Sequence, residues 1–383
     1  MLGFQSIILV TISLLITLIT NVTAQQECVS YTSPFDFSSG YPKIWEKPTS
    51  KDFNTKEFKQ INSSINWSKV PKIATRKMVN GNVDTTGYPD SDPDCWWSYS
   101  TCTTPKPPLQ HDVSFCPEPG TLGLTYDDGP NCAHTVFYDF LKQNNQKATM
   151  FFIGSNVATL PNEAQRAFID GHHICVHTWS HQYMTTLTNE EALAELYYAR
   201  KAIKRVIGIT PRCWRPPYGD VDNRIRAIAQ QLNMRTIIWN LDTNDWDMEP
   251  DGTEQPAQID AIFQSLVNMG QNGTFADSGA IVLEHELSNG TMSKAIEWYP
   301  KLKSAFKHIV PIASCMNVTR PYIESNFTYP SFAEYIGTRN NNTTDPKSTE
   351  SYRPTGTPQA HGPKSTPTSI AKSITSYNNL ISW

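Results

Sequence analysis

The chain lacks any strong bias of charge. Its 32 Lys and Arg against 36 Asp and Glu leave a formal net charge of -4 over 383 residues. That balance gives no electrostatic basis for binding nucleic acid or an anionic membrane surface, and it suits a neutral polymer better. No Lys or Arg precedes Lys43, so the apolar segment 7–19 lacks the basic flank of a standard export signal. The first 24 residues nevertheless end in Val22-Thr23-Ala24, which suits cleavage after Ala24, and residues 1–24 are read as a signal peptide. The closing stretch SITSYNNLISW is too short and too polar for the hydrophobic tail of a lipid-anchor signal, so no membrane anchor is expected. The eight cysteines show no zinc-ribbon spacing, which removes a structural zinc module.

What is present fits an exported glycoprotein. Eight Asn-X-Ser/Thr sequons follow the leader, at Asn62, Asn66, Asn272, Asn289, Asn317, Asn326, Asn341 and Asn342; the set, rather than any one site, argues for N-glycosylation. An even number of cysteines in an oxidising compartment allows up to four disulfides. Cys95 and Cys102 are close enough to close a small loop, and Cys116 with Cys315 would staple the two ends of the central domain. At 39% hydrophobic residues the chain can fill a sizeable core.

Three textures divide the mature chain. Residues 25–110 are rich in Pro, Ser, Thr, Asn and aromatics with little periodicity, and read as an irregular extension wrapped on the main domain. Trp96, Trp97 and Tyr99 there are read as packing rather than as sugar-stacking groups. Residues 111–325 alternate short apolar runs (122–126, 148–153, 173–176, 236–240, 280–284 and 308–312) with helical stretches (134–144, 162–170, 189–207, 221–232, 257–269 and 294–305). Thr188, with Glu191 three residues on, marks the start of the longest helix. Alternation on this scale means parallel strands joined by helical crossovers, as a barrel or as a doubly wound sheet. The Ser/Thr/Pro-rich tail 326–383 cannot bury enough apolar surface to fold and is expected to be disordered.

Five patches carry chemistry. Thr125-Tyr126-Asp127-Asp128-Gly129-Pro130 ends an apolar run with two adjacent carboxylates, which repel unless a cation sits between them. His177-Thr178-Trp179-Ser180-His181 offers two imidazoles at i and i+4, which share a face on a helical turn and can grip one ion. Asp with two His makes three ligands and leaves a coordination position open, as in catalytic rather than structural zinc sites. The others are Arg215-Pro216-Pro217-Tyr218-Gly219, Asp242-Thr243-Asn244-Asp245-Trp246 and Leu283-Glu284-His285. All five follow strand-like runs, which favours a barrel with its active site on the carboxyl-end face. His172 and His173 precede a strand end and are read as structural. Glu284 and Glu286 alternate to the other face from His285 and are read as non-catalytic.

With its five motifs in order over about 111–320, the sequence resembles the polysaccharide deacetylases of carbohydrate esterase family four, the NodB-homology domain. Within them it is most similar to the fungal chitin deacetylases. The resemblance implies a distorted (β/α) barrel with fewer than eight repeats. It implies that Asp128, His177 and His181 hold one divalent metal, zinc first and cobalt second, and that Asp127 is the general base. Arg215 is implied to keep Asp127 ionised and aimed, and the backbone N–H of Tyr218 to meet the oxyanion. His285 matches the general acid and Asp242 the carboxylate that raises its pKa, while Pro217, Trp246 and Leu283 match substrate-binding positions. Asp245 is weighed below Asp242.

The activity so implied is removal of acetyl from N-acetylglucosamine units of chitin or its oligomers by a secreted, monomeric enzyme at or near the cell wall. The alternatives are an acetylxylan esterase or peptidoglycan deacetylase of the same family, or a non-catalytic chitin-binding wall glycoprotein.

Overall fold

The computed structural model describes residues 33–248 and 256–340. The expected leader, Cys28, the sequons at Asn341 and Asn342, and the part of the Ser/Thr/Pro-rich tail beyond 340 lie outside the described residues. The stretch 326–340, expected to belong to a disordered tail, is ordered instead: it holds a helix, Phe332–Asn340, whose Phe332 and Tyr335 are buried, the Tyr335 hydroxyl accepting from Lys147 N–H, so the folded domain runs past 325. Eight short strands form one sheet: β1 (Thr121–Gly129), β2 (Thr149–Phe152), β3 (His173–Val176), β4 (Cys213–Trp214), β5 (Arg235–Thr236), β6 (Leu241–Asp242), β7 (Ala280–His285) and β8 (His308–Val310). Every pairing among them is parallel. The order is β5-β4-β3-β2-β1-β7-β6, with β8 paired to the start of β1. These strands read as continuous apolar runs because parallel sheets are covered on both faces, and β2, β3 and β7 are buried along their whole length.

Chain connectivity forces this sheet to curl. The outermost strands, β5 and β6, are consecutive in sequence, Thr236 being followed by Leu241 five residues later. Five fully extended residues span at most about 18 Å, whereas seven flat strands side by side would separate the outer two by about 29 Å. The edges must therefore bend toward each other, and the result is an open, distorted barrel with the carboxyl ends of its strands at one mouth. The expected single strand over 236–240 is replaced by these two pieces, one on each edge.

The helices lie outside the sheet and follow the sequence reading closely. Helix α1 (Lys56–Ser64) belongs to the N-terminal segment; α2 (Thr135–Gln143), α3 (Pro161–Ile169), α4 (Asn189–Ile207), α5 (Asn223–Gln231), α6 (Pro256–Gln271) and α7 (Asn289–Ala305) are crossovers. In α4 the Thr188 side chain accepts from Glu191 N–H while Glu191 closes the reciprocal bond, and Gly208 at φ 90° ends the helix. Such caps contribute about 1 kcal/mol each. Its inward side, including Ala192, Leu196, Ala199 and Ile203, is fully buried.

The N-terminal segment is wrapped on the main domain, as expected, with little regular structure beyond α1. Thr55 caps α1 by accepting from Phe58 N–H, and Phe58 is buried against Tyr198 of α4 with ring centroids 6.1 Å apart. Trp96 is fully buried, as expected of a packing residue. The described disulfides are Cys95–Cys102, Cys116–Cys315 and Cys175–Cys213; the first two are those expected from spacing. Cys116–Cys315 ties segments 199 residues apart, and a loop of that length constrains the unfolded chain strongly. Replacing both cysteines by Ser is expected to lower the unfolding free energy by about 2–5 kcal/mol in urea titrations. A loss under about 1 kcal/mol would show that the staple adds little to the folded barrel.

Candidate active site

Two neighbouring side chains of a regular strand point to opposite faces, so Asp127 and Asp128 reach one site only through a distortion. The distortion is a bulge. In the β1–β2 pairing Asp127 lies opposite Phe151 but Gly129 lies opposite Phe152, so Asp128 is the extra residue. It adopts φ 70°, which re-aims its carboxylate, as bulges at active sites do. Three carbonyls of this turn are pinned: Asp127 O by Glu286 N–H, Asp128 O by the Asn156 side chain and Gly129 O by Ile153 N–H.

The two imidazoles also converge, but not on a helical turn. β3 ends at Val176, and the following residues form a loop in which Thr178 and His181 take φ 64° and 57°. Helical spacing was the wrong physical picture for the pair. The loop is instead organised by Glu195, a fully buried carboxyl on the inward side of α4 that accepts from Trp179 N–H, Ser180 N–H and the Ser180 hydroxyl. Burial pushes Glu195 up to about 7. Its role was missed in the sequence, although an acid in register with Ala192 and Ala199 on an apolar stripe is a visible signal.

Asp128, His177 and His181 offer ligand atoms that all lie within 4.8 Å of one another. Asp128 Oδ1 stands 3.4 Å from His177 Nε2 and 3.2 Å from His181 Nε2. The His177 Nδ1–H donates to Arg215 O at 2.9 Å, which leaves the Nε2 lone pair facing the acids. Asp128 Oδ1 is buried and carries no hydrogen bond among the described residues. An orphaned carboxylate oxygen beside two imidazole lone pairs fits a divalent ion, and one oxygen with two nitrogens is a zinc-type donor set. Burial alone would raise the Asp128 carboxyl, yet His181, His177 and His285 outweigh it and hold the group well below the usual carboxylate range. A second group, His173 with Cys175 and Cys213, has comparable spacing. Its sulfurs are joined in a disulfide, so they are not thiolate ligands. Burial pushes both His172 and His173 down to about 3, as suits neutral structural imidazoles.

Asp127 belongs to a different partner. Arg215 Nη1 donates to Asp127 Oδ1 at 2.7 Å and to Thr125 Oγ1 at 2.8 Å, with the guanidinium fully buried over the Phe151 ring. Asp127 Oδ2 is left toward the metal group, 3.7 Å from His177 Nε2. On the neighbouring strand His285 lies directly opposite Asp127 in register.

The carboxylate on His285 is Asp245, not Asp242. Asp245 accepts the His285 Nδ1–H at 2.6 Å and the His285 backbone N–H at 2.9 Å. Asp242 pairs in register with Leu283, one pleat short of His285, and its carboxylate accepts from Asn244 N–H instead. The left-handed Asn244 (φ 51°) and the short turn Asp245–Asp247 then carry the second acid back over the end of β7. Burial pushes the Asp242 carboxyl up. Burial would push His285 down, but the Asp245 carboxylate overrides it and raises the imidazole to about 10.

The remaining positions frame the opening. Pro217 is buried, Tyr218 is 41% exposed with its ring edge-on to His181 at 4.7 Å, and Trp246 is 48% exposed. Leu283 is buried two residues before His285, on the same strand face. Glu284 and Glu286 take the opposite face; burial holds the first well above its ordinary range and pushes the second up to about 8, and Glu286 binds Asn131 N–H and the Tyr138 hydroxyl.

Asp245→Asn is expected to bring the His285 pKa from about 10 back toward 6.5, whereas Asp242→Asn should leave it near 10. NMR titration of the imidazole distinguishes them, and the reverse pattern would return the role to Asp242.

The polysaccharide deacetylase family model matches residues 115–237. Chitin deacetylase 2 of Cryptococcus neoformans var. grubii is 50% identical over 323 residues, spanning 83% of this chain and 70% of the relative. The chitin deacetylase of Amylomyces rouxii is 51% identical over 313 residues, spanning 80% of this chain and 74% of the relative. Among solved structures, the chitin deacetylase of Colletotrichum lindemuthianum aligns with a TM-score of 0.49 and 28% identity over 54% of this chain and 92% of that one. With about half of the aligned residues identical over at least 80% of this chain and 70% of each of two such relatives, this chain belongs to the polysaccharide deacetylase family.

Proposed function

We propose that the protein hydrolyses the acetamide of N-acetylglucosamine units in chitin, giving acetate and the free amine of chitosan. The observation that carries this reading is the pairing across one mouth of an aimed carboxylate and a protonated imidazole, Asp127 and His285, in register on adjacent strands. The choice of chitin is supported by the names and extent of the relatives just described.

The residues divide the work by what already occupies them. Arg215 holds Asp127 by Oδ1, so Oδ2 is the atom that takes the proton from the attacking water. His285 commits Nδ1–H to Asp245, so Nε2–H is the proton given to the departing nitrogen, which is a poor leaving group as an anion. A divalent cation, when held by Asp128, His177 and His181, supplies Lewis acidity to the carbonyl and to the water, and zinc is the ion we assign. The backbone N–H of Tyr218 is assigned to the oxygen that gains charge. Pro217, Leu283 and Trp246 are assigned to the walls that receive the sugar and its acetyl methyl. Asp242 supports the loop that presents Asp245.

Among the described residues no helix is long and apolar enough to cross a membrane. The disulfides, the sequons and the apolar leader support an N-glycosylated enzyme exported toward the wall; a monomer is the state we assign.

Acetate release from a chitin oligomer tests the assignment. The wild type is expected to be active and to lose activity with chelator, regaining it with zinc. Asp127→Asn should be at least about a hundredfold slower while still binding the ion. Equal rates for the two proteins would remove Asp127 as base, and faster release from acetylated xylan than from chitin would redirect the substrate.

A further inference from the structure

The catalytic motifs all lie within 125–285, yet the residues flanking the Tyr218 turn are held from outside that range. Tyr218 adopts φ 58°, a conformation a tyrosine keeps only where its surroundings over-determine it. Gly219 follows at φ 69°, and a Cβ placed there would stand 2.3 Å from the six-membered ring of Trp97. Trp97 therefore fills the space against that backbone. The Trp97 N–H donates to Val221 O at 3.0 Å, and Asn223 N–H donates to Asp94 O at 2.9 Å, so the segment also brackets the far side of the turn.

Asp220, fully buried, is the joint between the two. It accepts from Trp96 Nε1 at 2.9 Å and from the Ser98 hydroxyl at 2.7 Å, both in the N-terminal segment, and from Thr185 N–H at 2.8 Å, four residues past His181. The clamp is itself locked. Cys95 and Cys102 are bridged, and the buried Arg226, ion-paired with Asp112 at 2.7 Å, donates to the carbonyls of both cysteines. On its other side Trp97 meets Trp239 at 4.9 Å, whose ring in turn lies 5.5 Å from the Arg215 guanidinium.

We infer that Trp97 is a positioning residue for the reaction, and that residues 94–102 are an integral wall of the active site which sets the backbone of the Tyr218–Gly219 turn. The inference rests on the oxyanion role assigned above to Tyr218 N–H. A donor preorganised toward developing charge acts on the transition state rather than on the bound sugar. Loosening the turn should therefore lower kcat and leave KM and the metal group, which Trp97 does not touch, largely as they were.

The experiment is a double-mutant cycle of Trp97→Ala and Gly219→Ala, read with a chitin oligomer on zinc-loaded protein, with bound zinc per chain and the thermal midpoint measured alongside. Trp97→Ala is expected to lower kcat about 30-fold, with KM changed less than about threefold and zinc occupancy unchanged. Gly219→Ala should be severe alone but at least about tenfold milder in the Trp97→Ala background, because the clash is gone and only the left-handed φ remains strained. Ser98→Ala removes one Asp220 bond and should lower kcat about three- to fivefold, which keeps the test open if Trp97→Ala folds poorly.

Trp97→Ala at full kcat, a loss confined to KM or zinc, or multiplicative effects in the cycle would overturn the inference. If the wild type releases no acetate from chitin, the proposed function fails instead. The cycle then reads the wall through the thermal midpoint, where additive shifts would refute the contact.

Discussion

Two carboxylates in sequence at the end of one strand, Asp127 buried and Asp128 partly so, are the constraint around which the rest is built. Unpaired charge in such a place costs several kcal/mol, and removing one partner of a buried pair typically costs about 3–5 kcal/mol. The molecule answers each acid separately. Arg215 neutralises Asp127 from beneath, with its own charge spread over Phe151 and aimed by Thr125. Asp128 is turned out of the ladder by the bulge and given to His177 and His181. One pair is closed to solvent and fixes direction; the other ends in lone pairs that invite an ion. The same logic extends to His285, whose charge is held by the buried Asp245.

Much of this was legible in the chain. Strand-like runs, helix ends and caps came from periodicity and local chemistry, and 173–176 and 189–207 match the structure at both ends. The spacing of Cys116 and Cys315 indicated a staple that is present. Three illegible parts share a cause: they depend on backbone conformations at φ above zero in residues other than glycine. Nothing in Asp-Asp-Gly announces that Asp128 bulges, and nothing in His-x-x-x-His announces two left-handed residues in place of a helical turn. Asp242 and Asp245 could not be ranked by spacing, because the choice turns on the left-handed Asn244 and on a register one pleat short.

The N-terminal segment is the irregular extension wrapped on the main domain that its composition indicates. It holds little regular structure beyond α1. Its order comes from tertiary partners instead, through Trp96 on Asp220, Arg226 on Cys95 and Cys102, and Phe58 on α4. Periodicity detects a chain folding on itself; it cannot detect one that borrows its order from a neighbour. The Glu195 carboxyl beneath the imidazole loop was missed for the related reason that its partners are backbone amides.

The direct pairing of Asp127 with His285 has a consequence for how such a protein can change over time. Adjacent parallel strands keep a separation of about 4.8 Å whatever their side chains, so the spacing of the Asp127 and His285 backbones is inherited from the sheet itself. The side chains of Tyr218 and Trp246, exposed at the rim, can change to suit differently shaped polymers without retuning that interval, while the backbones that carry them stay held by Trp97 and by the Asp245 turn. Diversification of acetylated targets can then proceed at the rim while the cleavage step stays dimensionally frozen, like a die whose jaws are replaced but whose stroke is not.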